Sequence, residues 1–163
     1  MGMYWYCKKF GHRNLRFLGP GPNPDGAYFD SGSGLERFIE VVTTMDYKLE
    51  ILFGKSREIK VVDLAMRENC LRRVVEMAGK KCAMNYADGR DLLIVIDAPI
   101  NISDLQMLAL MNKVEKGNFK RISIIHLLSK AIIEYNQYGF ITTPSTQSLK
   151  AKNMPNNRMH PRP

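Results

Sequence analysis

The sequence predicts an α+β fold, an antiparallel or mixed sheet packed against two or three helices, and three observations carry that expectation. Residues 91–97 form a continuous apolar run between carboxylates, from Asp91 to Asp97, the pattern of a central strand covered on both faces. Residues 63–79 repeat apolar side chains every three or four positions, the period of an amphipathic helix. Residues 38–62 fall into short β-branched or alternating runs separated by turn residues. A chain of 163 residues, 45% hydrophobic and 25% charged, fits one domain that buries enough apolar surface to fold without staples.

From the N-terminal end, Met3 to Lys8 reads as a short aromatic-rich strand. Residues 19–34 hold the densest glycine and proline punctuation and read as a surface loop. Ser31, Gly32, Ser33 and Gly34 would suit an anion-binding backbone nest, but no preceding strand or Lys-Ser/Thr ending supports a phosphate loop. Phe38 to Thr44, Tyr47 to Phe53 and Glu58 to Val62 then read as an antiparallel meander. Val41, Val42, Thr43 and Thr44 in succession favour strand over a helix across residues 35–45.

Asp63 is placed to cap the first helix, whose stripe is Met66, Cys70, Val74 and Met77, and Gly79 is placed to close it. Arg67, Glu68, Arg72, Arg73 and Glu76 form its solvated face. Ser103 and Gln106 make a capping box for a second helix, expected to reach Lys116. Arg121 to Tyr138 is apolar on nearly every side and reads as a third helix, buried in the core or against a second copy. Phe140 to Thr143 would return as an edge strand.

Residues 154–163, Met-Pro-Asn-Asn-Arg-Met-His-Pro-Arg-Pro, cannot continue a packed domain, because proline removes backbone donors and asparagine competes for the backbone. They resemble the translated start of the recombination site that ends an integron gene cassette, which implies a bacterial, mobile, accessory protein and no particular chemistry. The expected organisation is one domain over residues 1–149 and a disordered basic tail over 150–163. The chain carries 24 Lys and Arg against 16 Asp and Glu, a formal +8. Lys150, Lys152, Arg158 and Arg162 supply half of that excess, so the body is only modestly basic and nucleic acid is not the favoured partner.

Cys7, Cys70 and Cys82 form no CxxC pair and have no His at ligand spacing, which points to a reducing cytoplasm. Lys8 and Lys9 interrupt the apolar start before it makes an export signal, and no run reaches the length of a membrane span.

Two sets of residues suggest chemistry. Asp46 followed by Glu58 and Lys60 repeats the order of restriction-type nucleases, where two carboxylates hold Mg²⁺ and a lysine steadies the attacking water or the developing phosphate charge. Alternating charge on a hairpin produces the same triplet. Asp91 and Asp97, at the ends of an apolar strand, are weak metal candidates, with Asp88 and Asp104 nearby in sequence; a turn-starting aspartate explains Asp97 equally. No Ser, Cys or Thr has a recognisable activating partner, so the balance falls against an enzyme. Tyr4, Trp5 and Tyr6 beside Lys8, Lys9, Arg13 and Arg16 have the composition of a base-stacking platform, although a strand would split the three rings between two faces.

The surplus of apolar faces is the stronger signal. Met107 and Met111, with Ile125, His126, Ile132 and Tyr135, are expected to line a partner or ligand surface. The leading expectation is a homodimer that binds a protein partner or a small apolar ligand without a cofactor. The competing one is the Mg²⁺-dependent nuclease.

Overall fold

The computed structural model describes residues 1–19, 24–44, 64–84, 86, 89–98, 100–136 and 139–143. These residues form an α+β fold built on a sheet of seven described strands, mixed in direction, whose spatial order follows the chain. Helix α1 (Gly2–Phe10) leads into β1 (Arg13–Phe17), β2 (Gly26–Asp30) and β3 (Leu35–Thr43), an antiparallel meander. Helix α2 (Leu64–Ala83) crosses to β4 (Asp91–Ile96), and helix α3 (Asp104–Lys113) crosses to β5 (Arg121–His126), so β3, β4 and β5 are parallel. Strands β6 (Ala131–Asn136) and β7 (Gly139–Thr143) return antiparallel. No described helix is long and apolar enough to cross a membrane.

Strand β4 is the middle of the sheet, and all six of its residues are buried. Its alternate side chains feed two cores. Val42, Ile94, Ile124 and Ile133 stand side by side in register and meet Cys70, Val74, Ala78, Met107, Leu110 and Met111 from α2 and α3. On the opposite face, Val95, Ile125 and Ile132 lie in a row beneath α1, which presents Met3, Tyr6 and Cys7. Each aliphatic side chain buried this way contributes about 1.5–3 kcal/mol.

Residues 3–8 are helical, not extended. Gly2, Met3, Tyr6 and Cys7 are buried at helical spacing, and Gly11, with φ 70°, ends the helix in the left-handed region that glycine tolerates. Gly2 is where α1 touches the sheet, since an added Cβ would lie 2.4 Å from a Val95 methyl. The 19–34 stretch is not all loop: residues 26–30 are β2, and Ser31–Gly34 is the tight turn into β3.

Helix α2 runs through Gly79 to Ala83. Its last turn is held from outside, by Lys81 pairing with buried Glu40 and by the Cys82 thiol donating to the Glu115 carbonyl at 2.8 Å, so the glycine does not end it. The Ser103–Gln106 capping box is present. Helix α3 stops at Lys113, short of Lys116, because Val114 swings to an extended backbone and buries its side chain.

The largest correction concerns residues 121–138. Residues 121–136 form no helix; β5 and β6 make a hairpin around Leu127–Lys130. Both faces of this hairpin are covered, one by α2 and α3 and the other by α1, so its residues are apolar on every side for the same reason as β4. Phe140–Thr143 does lie in an edge strand, β7. The expected runs at 47–53 and 58–62, the Asp63 cap and the 150–163 tail lie outside the described residues.

Candidate functional site

Sheet register brings together a set of polar side chains that lie far apart in sequence. On the α1 face, Tyr28 pairs with Arg37, Ile39 with Asp91, Asp91 with Arg121, and Ser123 with Glu134. These residues form a polar band across the sheet at the end where β4 and β5 begin, beside the apolar contact of α1. Asp30, Asp91, Ser123 and Glu134 are all buried.

Asp91 accepts from Arg37 through both guanidinium arms and from the Tyr28 hydroxyl at 2.6 Å. Asp30 accepts from Arg121 at 2.6 Å, from the Ser33 hydroxyl at 2.8 Å and from the Gly32 amide at 3.2 Å. Glu134 accepts from Tyr6 at 3.1 Å and from Ser123 at 3.2 Å. Burial by itself would raise the Asp30 pKa, but Arg121 and the Ser33 and Gly32 donors outweigh it and hold the carboxyl at about 2. Burial wins at Glu134, whose pKa is raised despite the charge of Arg121 and its two hydroxyl donors. Burial also raises the Tyr6 and Tyr28 phenols, helped by the neighbouring carboxylates.

His12 sits at the rim of this network with its side chain 4% exposed. Its Nδ1 lies 3.3 Å from Asp30 Oδ1, and its ring packs among Tyr28, Tyr6 and Phe10. Nε2 is buried and has no hydrogen-bond partner among the described residues. Burial lowers the His12 pKa, against the pull of Asp30.

The carboxylates singled out from sequence do not converge. Asp91 and Asp97 stand at opposite ends of β4, about 20 Å apart at ordinary strand rise, and cannot share one cation. Asp97 is a structural clasp: its Oδ1 accepts from the Thr44 amide and hydroxyl, while Thr44 Oγ1 accepts from the amides of Asp97 and Ala98. This locks the end of β3 to the end of β4. Among the described residues, no three of His, Cys, Asp and Glu gather as metal ligands. Asp46, Glu58 and Lys60 lie outside the described residues.

The expected partner surface is also dispersed. Met107 and Met111 belong to the core under α2 and α3, whereas Ile125 and Ile132 belong to the core under α1. Tyr135 is half-buried beside the first core, with the Lys116 ammonium 3.5 Å above its ring. His126 is buried at the end of β5. Its Nε2 meets the Ile100 carbonyl at 3.0 Å, which only accepts, so Nε2 carries the proton and Nδ1 accepts from the Ser129 hydroxyl at 2.8 Å. A cleft of about 290 Å³ opens beside it, lined by Asn101, Ser103, Asp104 and Ser129.

A groove of about 460 Å³ lies between α2 and α3. Leu71, Val75, Ala109 and Leu110 form its floor, and Glu68, Arg72, Glu76 and Lys113 its rim. Glu68, Arg72 and Glu76 belong to the face of α2 expected to be solvated, and they become a rim only because α3 lies beside them. Comparison with protein-family models, with curated proteins and with solved structures gives no significant match.

Proposed function

We propose that this protein acts by recognition, as a homodimer that closes through the groove between α2 and α3. The observation that carries the reading is the composition of the groove, an apolar floor bordered by two acidic and two basic side chains, Glu68 and Glu76 against Arg72 and Lys113. A rim with equal numbers of each sign can pair with a copy of itself across a two-fold axis, where the same patch meets its own complement. The polar band supports the same reading, because its carboxylates are engaged by arginines and hydroxyls in ways that hold the sheet together. The origin as a cassette-borne accessory protein rests on the resemblance of residues 154–163 alone.

Sedimentation equilibrium on the full chain tests the proposal. The expected result is a dimer at micromolar concentration that Val75→Asp converts to a monomer with unchanged circular dichroism. A wild-type monomer over the whole concentration range would overturn it, and a monomer that takes up an apolar dye in the groove would favour a small-molecule ligand instead.

A further inference from the structure

The helical α1 changes what its aromatic and basic residues can do. As a strand, residues 4–6 would split their rings between two faces; as a helix, α1 turns Tyr6 inward and leaves Tyr4 55% exposed and Trp5 half-buried beside it. Lys8 and Lys9 follow one turn later on the exposed side, and α1 contains no acidic residue. The Lys8 ammonium lies 5.8 Å from the Tyr4 ring centroid and 5.6 Å from that of Trp5. A third ammonium arrives from the β5–β6 turn, where Lys130 Nζ lies 5.0 Å from the Trp5 ring.

Lys8 and Lys9 also complement the negative end of the α1 dipole, which is reason enough for their charge. Lys130 has no such reason. It has φ 57°, a left-handed conformation that glycine or asparagine adopts at less cost, and it nevertheless holds its ammonium against a ring on another element. Among the described residues, no carboxylate pairs with Lys8, Lys9 or Lys130. Lys8 and Lys130 therefore stand over the exposed ring of Tyr4 and the half-buried ring of Trp5, which also packs against the core beneath α1, and Lys9 adds a further cation to the same helix.

We infer that this face, Tyr4, Trp5, Lys8, Lys9 and Lys130, binds single-stranded nucleic acid. The complementarity is specific in kind: a strand carries regularly spaced phosphates for the ammonium groups and flat bases that stack on an exposed ring. An anionic membrane is the poorer fit, because an interfacial helix must offer its apolar side to lipid, and Met3, Tyr6 and Cys7 are already committed to the sheet. The surface lies on the opposite side of the sheet from the α2–α3 groove and is independent of the dimer proposal.

Trp5 is the sole tryptophan, so its fluorescence reports on this site alone. The test is a titration of the full chain with fifteen-residue oligothymidylate at low and moderate salt. The expected result is a saturable change in Trp5 emission whose affinity falls as salt rises. Tyr4→Ala should weaken it at least about fivefold through the lost stack, and Lys8→Gln with Lys130→Gly at least about tenfold with a shallower salt slope. Circular dichroism checks that each variant is folded, and Lys130→Gly keeps the turn because glycine accepts that backbone. No saturable change, affinity unaltered in both variants, tighter binding of the duplex, or a larger response to phosphatidylserine vesicles would each overturn the inference.

Discussion

Arg121 donates to Asp30 at 2.6 Å although β3 and β4 stand between their strands. Three strand spacings in a flat sheet amount to about 14 Å. The two side chains therefore lean toward each other over Arg37 and Asp91, helped by the twist of the sheet. One ion pair thus ties the opening meander to the parallel centre of the sheet.

Replacing Arg121 with Met should cost about 3–5 kcal/mol, because it strands a buried carboxylate. Adding Asp30→Asn should restore part of the loss by removing that charge. Urea midpoints of the single and double variants check this, and a single-variant cost below about 1 kcal/mol would contradict the pairing.

The same network gives stability two acid-sensitive limbs. Asp30 is held at about 2, below the ordinary carboxyl value near 4, so its contribution of about 2 kcal/mol is complete above pH 4 and fades as pH falls toward 2. His12 is lowered by burial, so the folded state resists its protonation and stability declines as pH drops below the ordinary histidine value of about 6.5. His12→Phe should make the profile shallower between pH 7 and 5, where His126, also lowered by burial, still contributes, and leave the lower limb intact. Urea unfolding at stepped pH measures both, and a wild-type profile already flat from pH 7 to 5 would refute the histidine limb.

Gly2→Ala should loosen α1, since the new methyl meets Val95. A loss of about 1–3 kcal/mol is the ordinary cost of such overpacking. Val95→Ala in the same chain should recover part of it. A red shift of Trp5 emission in Gly2→Ala alone would report the displaced helix; unchanged emission and melting temperature would show that α1 sits further from β4 than described.

Lys130→Gly should stabilise the free protein by about 1 kcal/mol through relief of the left-handed backbone. The same substitution is expected to weaken oligonucleotide binding. A thermal melt beside the fluorescence titration would show whether the two effects oppose each other.

The parts of the fold legible in the sequence were those encoded locally. The Ser103–Gln106 box fixes where α3 begins, and the uniform apolar run after Asp91 admits little besides a central strand. Residues 121–138 misled because periodicity cannot separate a doubly covered strand from a buried helix. The available counter-signal was β-branching, in Ile122, Ile124, Ile125, Ile132 and Ile133. The turn between them was hidden, since Lys130 takes a conformation normally advertised by glycine or asparagine. Met3–Lys8 failed in the opposite sense: aromatic β-propensity outweighed the helix-ending Gly11. The polar band had no local signature at all. Asp30, Arg37, Asp91, Arg121 and Glu134 come from five strands, and only the register makes them neighbours.

Because the spatial order of the described strands is the order of the chain, each of them joins an edge that earlier residues have already built. Nothing must be threaded between finished strands, and each pairing becomes possible as soon as its segment leaves the ribosome. A nascent chain of this kind can assemble by accretion, laying down its sheet from one side to the other at the pace of translation.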